Sequence, residues 1–275
     1  MKELEQKVAL VTAATRGIGW ATAKALAAHG AKTYLAVRNL AAGEKQAAEL
    51  QAAGGSVGVV YFDAEKEESA VTMVKDVLQN EGRLDILVNN YGGTDVQKDL
   101  DLVQGDCQAF FDIIQRNLSS VYLSCKTAVP AMEKQGGGNI INISSVGGMV
   151  PDVSRLAYGV AKAAINFLTQ SIAVQYGAAG VRCNAVLPGL VKTEAALHHM
   201  PADFLAAFVE QVPLGRMATA DEIAQAILFL ASEEAAFITG LLLPVAGGFA
   251  LPSPLYGFYQ QQKEQQKEQQ KQNET

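Results

Sequence analysis

Apolar residues recur along this chain in short continuous runs separated by longer, alanine-rich stretches. The runs are Val8–Thr12, Thr33–Val37, Val57–Tyr61, Ile86–Asn89, Asn139–Ile143, Val181–Leu187 and Leu241–Val245. They are short, rich in β-branched residues and lack polar alternation, as strands covered on both faces do. The stretches between most of them suit helices. Alternation of strand and helix requires crossover connections. It therefore predicts an α/β, doubly wound (Rossmann-type) fold, with a mainly parallel seven-stranded sheet and helices on both faces. A single domain is expected over residues 1–259.

The stretch Leu156–Tyr176 is apolar on most sides (Ile165, Phe167, Leu168, Ile172, Val174). A helix apolar all round must be covered all round. The sheet can cover one side and a second subunit the other, so an oligomer, taken as a homotetramer, is expected. Residues 260–275 are almost only Gln, Lys and Glu and hold no apolar side chain. They cannot join a core, which leaves a disordered tail, the first expectation, or a solvated helix.

Composition narrows the function. Of 275 residues, 22 are Lys or Arg and 28 Asp or Glu, a net charge of −6. That argues against a general grip on nucleic acid. The charge-free stretch Ala235–Leu251 is broken by Thr239, Gly240, Pro244, Gly247 and Gly248, so no membrane span is expected. The start, with two Lys and two Glu before a short apolar run, does not read as a secretory signal. Cys107, Cys125 and Cys183 are odd in number and widely spaced, which supports neither a disulfide framework nor a zinc site. His198 and His199 are adjacent and face different ways on a helix, so they are read as solvated. No metal site and a reducing, cytoplasmic location are expected.

After the first strand comes Thr12-Ala-Ala-Thr-Arg-Gly-Ile-Gly19, then a helix-compatible run to His29. Strand, glycine-containing turn and helix N-terminus together make a pyrophosphate site. Its members are Thr15, Arg16, Gly17, Ile18 and Gly19. The second strand ends at Arg38, where nicotinamide dinucleotide enzymes carry an acid for the ribose 2′-hydroxyl or an Arg for a 2′-phosphate. Arg38, with Arg16 in the turn, predicts NADP(H) over NAD(H).

Tyr158 and Lys162 share a helix face at i and i+4. An ammonium about 4 Å away is worth about 4 kcal/mol at an intermediate dielectric. That would bring a phenol toward neutrality for proton transfer with an alcohol. Tyr122 and Lys126 repeat the spacing. Only Tyr158 has a hydroxyl residue thirteen positions upstream, Ser145, just past the strand Asn139–Ile143. Ala109 stands there for Tyr122, so Tyr122 and Lys126 read as ordinary helix residues.

These motifs in order, with Asp63, Asn89-Asn90, Asn117 and Pro188-Gly189…Thr193, resemble the short-chain dehydrogenase/reductase family from about Leu4 to Ala250. The resemblance implies Tyr158 as acid/base, Lys162 as its partner and ribose ligand, and Ser145 as holder of the substrate oxygen. It implies Asn117 as anchor of a water leading from Lys162 to solvent. Asp63 would contact adenine and Asn89 would border the adenosine ribose. Pro188, Gly189, Val191 and Thr193 would frame the nicotinamide. Two departures stand out: Ala13 replaces the first glycine of the turn, and Tyr91 replaces the alanine of Asn-Asn-Ala-Gly.

Local strings such as Asn89-Asn-Tyr-Gly-Gly-Thr94, Val153-Ser-Arg-Leu-Ala-Tyr158 and Arg182-Cys-Asn-Ala-Val-Leu-Pro-Gly189 resemble the clostridial-type, NADP-dependent 7α-hydroxysteroid dehydrogenase branch. That branch implies a small hydrophobic substrate, a bile acid, oxidised at its 7α-hydroxyl to the 7-oxo form. Glu194 departs from the basic residue of that branch. The segment 191–212, with Leu197, Met200, Phe204, Leu205, Phe208 and Val209, would be a lid of apolar character. Two alternatives stand beside this reading: a 3-oxoacyl-carrier-protein reductase or other short-chain alcohol dehydrogenase, and a non-catalytic dinucleotide sensor.

Overall fold

A computed structural model describes residues 4–251, 253 and 255–273. Its seven strands are β1(Val8–Thr12), β2(Lys32–Val37), β3(Val57–Tyr61), β4(Ile86–Asn89), β5(Gly138–Ile143), β6(Val181–Pro188) and β7(Leu242–Val245). All neighbouring pairs are parallel, in the order β3-β2-β1-β4-β5-β6-β7. The order reverses between β1 and β4. A crevice opens at such a point beyond the carboxyl ends of the strands.

Helices α1(Gly17–Ala28), α2(Leu40–Ala52), α3(Glu67–Glu81), α4(Cys107–Lys134) and α5(Leu156–Tyr176) link the strands through β6. After β6 come α6(Glu194–His199), α7(Ala202–Glu210) and α8(Ala220–Ala231), then β7 and α9(Tyr256–Asn273). Alternate residues of each strand feed two cores. Ala9, Val11, Leu35, Ile86 and Ile141 pack with Leu26 of α1, Leu50 of α2 and Ile223 and Ile227 of α8. Leu10, Tyr34, Leu87 and Ile140 pack with Met73 of α3, Val129 of α4 and Ile165 and Ile172 of α5. This two-sided burial is why the strands read as unbroken apolar runs.

Two features differ from or extend the sequence expectations. The tail is helical over Tyr256–Asn273, the second of the two forms expected. Gln, Glu and Lys are good helix formers that need no core face. Along α5, Phe167 (74 % exposed) and Val174 (85 %) point outward, as do Phe111 and Tyr122 on α4. The apolar side of α5 opposite the sheet is therefore open in the single chain. The Lys126 ammonium lies over the Tyr122 ring, 5.7 Å from its centre, as a surface pair.

Candidate active site

The turn after β1 and the end of β4 are tied together first. The Thr12 hydroxyl accepts from the backbone N–H groups of Asn90 (2.8 Å) and Tyr91 (3.1 Å). The Asn90 amide donates back to the Thr12 carbonyl at 3.0 Å. Helix α1 begins without a side-chain cap, and its N-cap residue is Arg16. Among the described residues no acceptor faces the backbone N–H groups of Ile18 and Gly19. An open helix N-terminus of this kind can hold an anion. Gly19 is required by close approach: a methyl there would stand 2.5 Å from the Ala13 carbonyl oxygen and 2.6 Å from Asn90 Nδ2. Ala13 occupies the left-handed region with φ 52°, so the first-glycine position keeps a glycine-like backbone despite its methyl.

Arg16 and Arg38 are both exposed at this end. Among the described residues neither forms an ion pair or donates a side-chain hydrogen bond. Asp63, at the end of β3, holds its own loop by accepting from the Glu65 N–H at 3.2 Å. Thr15 offers its carbonyl to Gln46, and Ile18 packs against the core below. Thr193 lies across the same turn, its methyl 3.4 Å from where a Gly17 side chain would begin. Gly189 bonds the Val245 carbonyl at the end of β7. Val191, buried at 7 %, bridges to Ala218. The segment Pro188–Thr193 is thereby fixed beside the crevice.

The Asn89 side chain, at the end of β4, is turned into the core, 2 % exposed. There its amide donates to Asn142 Oδ1 at 2.9 Å and accepts from Ser124 Oγ at 2.7 Å. Asn142 donates onward to Thr169 Oγ1 at 2.9 Å. A buried amide must satisfy its polar atoms, and this ladder between β4, β5, α4 and α5 does so. Tyr91 packs edge-on against Phe62 with ring centres 6.0 Å apart. Burial raises its phenol pKa, with Arg116 lowering it, Glu65 and Asp63 raising it and Arg38 lowering it.

At the end of β5, Ser145 accepts from the Gly147 N–H at 3.1 Å and lies beside the Tyr158 phenol. Lys162 is 2 % exposed and its ammonium donates to the Ile143 carbonyl at 2.9 Å. The same ammonium is 5.5 Å from the Tyr158 ring centre. Two of its three donors have no protein partner among the described residues, which fits a bound sugar diol. Gly92 is the second glycine required by close approach. A methyl there would meet Lys162 Nζ at 2.7 Å and Asn117 Oδ1 at 3.4 Å.

The spacing of Tyr158 and Lys162 suggested a phenol drawn toward neutrality by the ammonium. In the folded chain burial is the larger effect and pushes the phenol up, while Ser145 and Arg155 pull it down. Burial also pushes Lys162 down, to about 8. Both groups are desolvated together, and the ammonium's nearest partner is a carbonyl.

Asn117 holds the loop after β4. Both amide hydrogens are used, on Gly93 O at 2.7 Å and Ile113 O at 2.8 Å, and Oδ1 accepts from the Gly93 N–H at 3.1 Å. The side chain clasps the β4–α4 loop and keeps one Oδ1 lone pair for a water. Over the mouth, Phe208 of α7 stacks on Phe249 with ring centres 4.5 Å apart. Arg155 lies over Phe204 at 6.0 Å. The side chains of His198 and His199, expected to be solvated, lie outside the described residues. Sequence reading missed Gly92 and a buried carboxylate, Asp99. The missing cap before α5, where Arg155 stands, was the available signal for Asp99.

A family model described as Enoyl-(Acyl carrier protein) reductase matches residues 12–250. The chain belongs to the short-chain dehydrogenase/reductase family. It is an oxidoreductase of that family, whose members bind a nicotinamide dinucleotide. A 7alpha-hydroxysteroid dehydrogenase of Clostridium sardiniense is 52% identical over 259 residues, 94% of this chain and 99% of its own. One from Paraclostridium sordellii is 46% identical over 264 residues, 96% of this chain and 99% of its own. Among solved structures, the crystal structure of gox2181 superposes with a TM-score of 0.87 at 30% identity, covering 91% of this chain and 98% of that one. For this short-chain dehydrogenase/reductase, the seven-stranded parallel order and the strand-end crevice agree with the family's fold.

Proposed function

We propose that the protein moves a hydride between NADP(H) and a bile-acid hydroxysteroid, interconverting a 7α-hydroxyl and a 7-oxo group. The observation that carries the chemistry is the convergence of Tyr158, Ser145 and Lys162 at the carboxyl end of β5. The substrate class is supported by the near-full-length likeness to the two chains named above, and by the aromatic lid formed with Phe204 and Phe208.

The N–H groups of Gly17, Ile18 and Gly19, with Thr15, would hold the pyrophosphate, and Asp63 the adenine. Arg16 and Arg38 would take the 2′-phosphate, since no carboxylate stands at that strand end. Lys162 would bind the nicotinamide ribose, with Pro188, Gly189, Val191 and Thr193 around the ring. NADP(H), when bound, supplies the hydride acceptor or donor. In oxidation the ionised Tyr158 oxygen takes the proton of the substrate hydroxyl, while the Ser145 hydroxyl holds the same oxygen. The Lys162 ammonium, 5.5 Å from the ring centre, would favour the ionised phenol once bound substrate and cofactor exclude water. The proton then leaves past Lys162, with Asn117 Oδ1 as the next polar atom.

The test is absorbance at 340 nm with cholate, a 7-deoxy analogue and an acetoacetyl thioester, each with NADP⁺/NADPH and NAD⁺/NADH. Turnover of cholate alone, with NADP⁺ preferred, is the expected result. Activity confined to the thioester overturns the steroid reading in favour of 3-oxoacyl reduction. Against that second reading, Glu194, Asp203 and Glu210 make the lid a poor surface for an acidic carrier protein. Tyr158→Phe is expected to abolish turnover while leaving cofactor binding intact. Arg38→Asp is expected to reverse the preference between the two cofactors. The proposed assembly is a cytoplasmic homotetramer using the open apolar side of α5, checked by light scattering. Among the described residues no helix is long and apolar enough to cross a membrane.

A further inference from the structure

Helix α5 carries Tyr158 in its first turn, and that turn has no cap of its own. The residue before it, Arg155, offers no side-chain acceptor and adopts φ 59°, ψ 42°. Four backbone N–H groups at such an end need partners from elsewhere. All four are met by two residues of the β4–α4 loop. Arg155 N–H donates to the Asp99 carbonyl at 3.0 Å and Leu156 N–H to the Leu100 carbonyl at 3.3 Å. Ala157 N–H donates to Asp99 Oδ1 at 2.8 Å and Tyr158 N–H to Asp99 Oδ2 at 3.1 Å. The Thr94 hydroxyl holds the same Oδ2 at 2.5 Å. Asp99 is 4 % exposed and pairs with no cation among the described residues. Its charge is stabilised by these donors and by the helix end.

The loop is fixed at its other end by Asn117, whose amide brackets Gly93 on both its N–H and its carbonyl. Gly93 is followed directly by Thr94. Hydrogen bonds from Asn117 to Gly93 and from Thr94 through Asp99 to the backbone of Tyr158 are thus joined by the Gly93–Thr94 peptide bond. We propose that Asp99 is a positioning residue for the reaction: its buried carboxylate, held by Thr94, sets the first turn of α5 and hence the phenol of Tyr158 relative to Ser145 and Lys162. The role rests on the reading of Tyr158 as the acid/base. Its carboxylate is spent on the Ala157 and Tyr158 backbone and the Thr94 hydroxyl, so it acts through Tyr158. Misplacement of a reacting group by about 1 Å costs on the order of 100-fold in rate.

The variants Asp99→Asn and Asp99→Ala keep one and no side-chain acceptors, and Thr94→Val removes only the hydroxyl. Cofactor binding is read without turnover from the fluorescence of Trp20, the lone tryptophan, which follows the phosphate turn directly. With the secondary alcohol that the wild type oxidises, kcat should fall about 10-fold in Asp99→Asn and about 100-fold in Asp99→Ala. Thr94→Val should lose about 3-fold. KM and the NADP⁺ Kd should stay within about 3-fold throughout, because the phosphate turn lies on another element. A merely structural role would lower the melting temperature and leave kcat of the folded protein unchanged, and that result overturns the proposal. So does a loss shared equally by Kd. If the Asp99 chains do not fold, unchanged kcat in Thr94→Val overturns it alone. Tyr158→Phe run in parallel separates the two readings. Its retained activity removes the acid/base assignment, whereas its inactivity beside an unaffected Asp99→Asn removes only the role of Asp99.

Discussion

Replacing Lys162 with Met tests how far the site is held against the stability of the fold. The ammonium is 2 % exposed, and burial lowers its pKa from 10.5 to about 8. Each tenfold in proton affinity is about 1.4 kcal/mol, so the gap amounts to about 3 kcal/mol. The unfolded chain keeps this proton up to 10.5, whereas the folded chain gives it up near 8. Between those values the unfolded state binds more protons, and stability must rise with pH. Below pH 8 the full penalty of a buried charge is present. Methionine removes the charge but strips the Ile143 carbonyl of its donor, a loss of about 1–3 kcal/mol. The two effects nearly cancel at pH 7.

At higher pH only the wild type sheds its proton. Its stability relative to Lys162→Met should therefore climb by about 2 kcal/mol between pH 7 and pH 9.5. Urea unfolding of both chains across that range measures the difference. Other groups titrate there, since burial pushes Cys125 to about 12 and raises Cys183. They are common to both proteins and drop out of the difference. A stability difference that stays flat with pH would refute the claim that Lys162 is a destabilising buried charge retained for chemistry.

Three further outcomes are expected. Ala13→Gly relieves a methyl-bearing residue at φ 52°, worth about 1–2 kcal/mol, against about 0.4–1 kcal/mol of added chain entropy; the melting temperature should rise by about 1–3 °C. Gly92→Ala puts a methyl 2.7 Å from Lys162 Nζ and should cut kcat at least about 10-fold while the chain still folds; a wild-type rate would show that the ammonium's position is not critical. Asn142→Leu breaks the buried amide ladder, leaving Asn89 Nδ2 only the weak acceptor Cys125 Sγ and Thr169 Oγ1 only its bond to Ile165, so urea unfolding should show a loss of about 1–3 kcal/mol.

The strands were legible because a parallel sheet covered on both faces leaves no polar alternation to confuse the reading. Val8–Thr12, Val57–Tyr61 and Ile86–Asn89 coincide with the observed elements, and so does the helix Leu156–Tyr176. The site was legible as residue types at spacings: Tyr158 and Lys162 one turn apart, Ser145 past a strand, glycines after β1. Orientation was not legible. Asn89 and Asn90 are adjacent at a strand end, where successive side chains point to opposite faces. Nothing in their order says that Asn89 enters the core ladder and Asn90 the turn. The balance at Tyr158 was not legible for a related reason: spacing gives the distance between two groups but not the solvent that both lose.

Helices α1 and α5 begin in opposite ways, and the contrast would let one strand-end layout serve both binding and reaction on the proposed reading. Helix α1 leaves the N–H groups of Ile18 and Gly19 without protein acceptors, so its positive end is available to an anion that arrives and leaves. Helix α5 has every first-turn donor consumed by Asp99 and Leu100, with a carboxylate already at its positive end. A second anion would gain little there, and a fixed backbone is what a proton-transferring phenol needs. The charge of Asp99 neutralises the helix end at a distance from the phenol, while the nearer Arg155 guanidinium favours ionisation of Tyr158. On the proposed reading, the open end of α1 would serve phosphate and the filled end of α5 chemistry, and the filled end depends on a loop residue fifty-nine positions away from the tyrosine it holds.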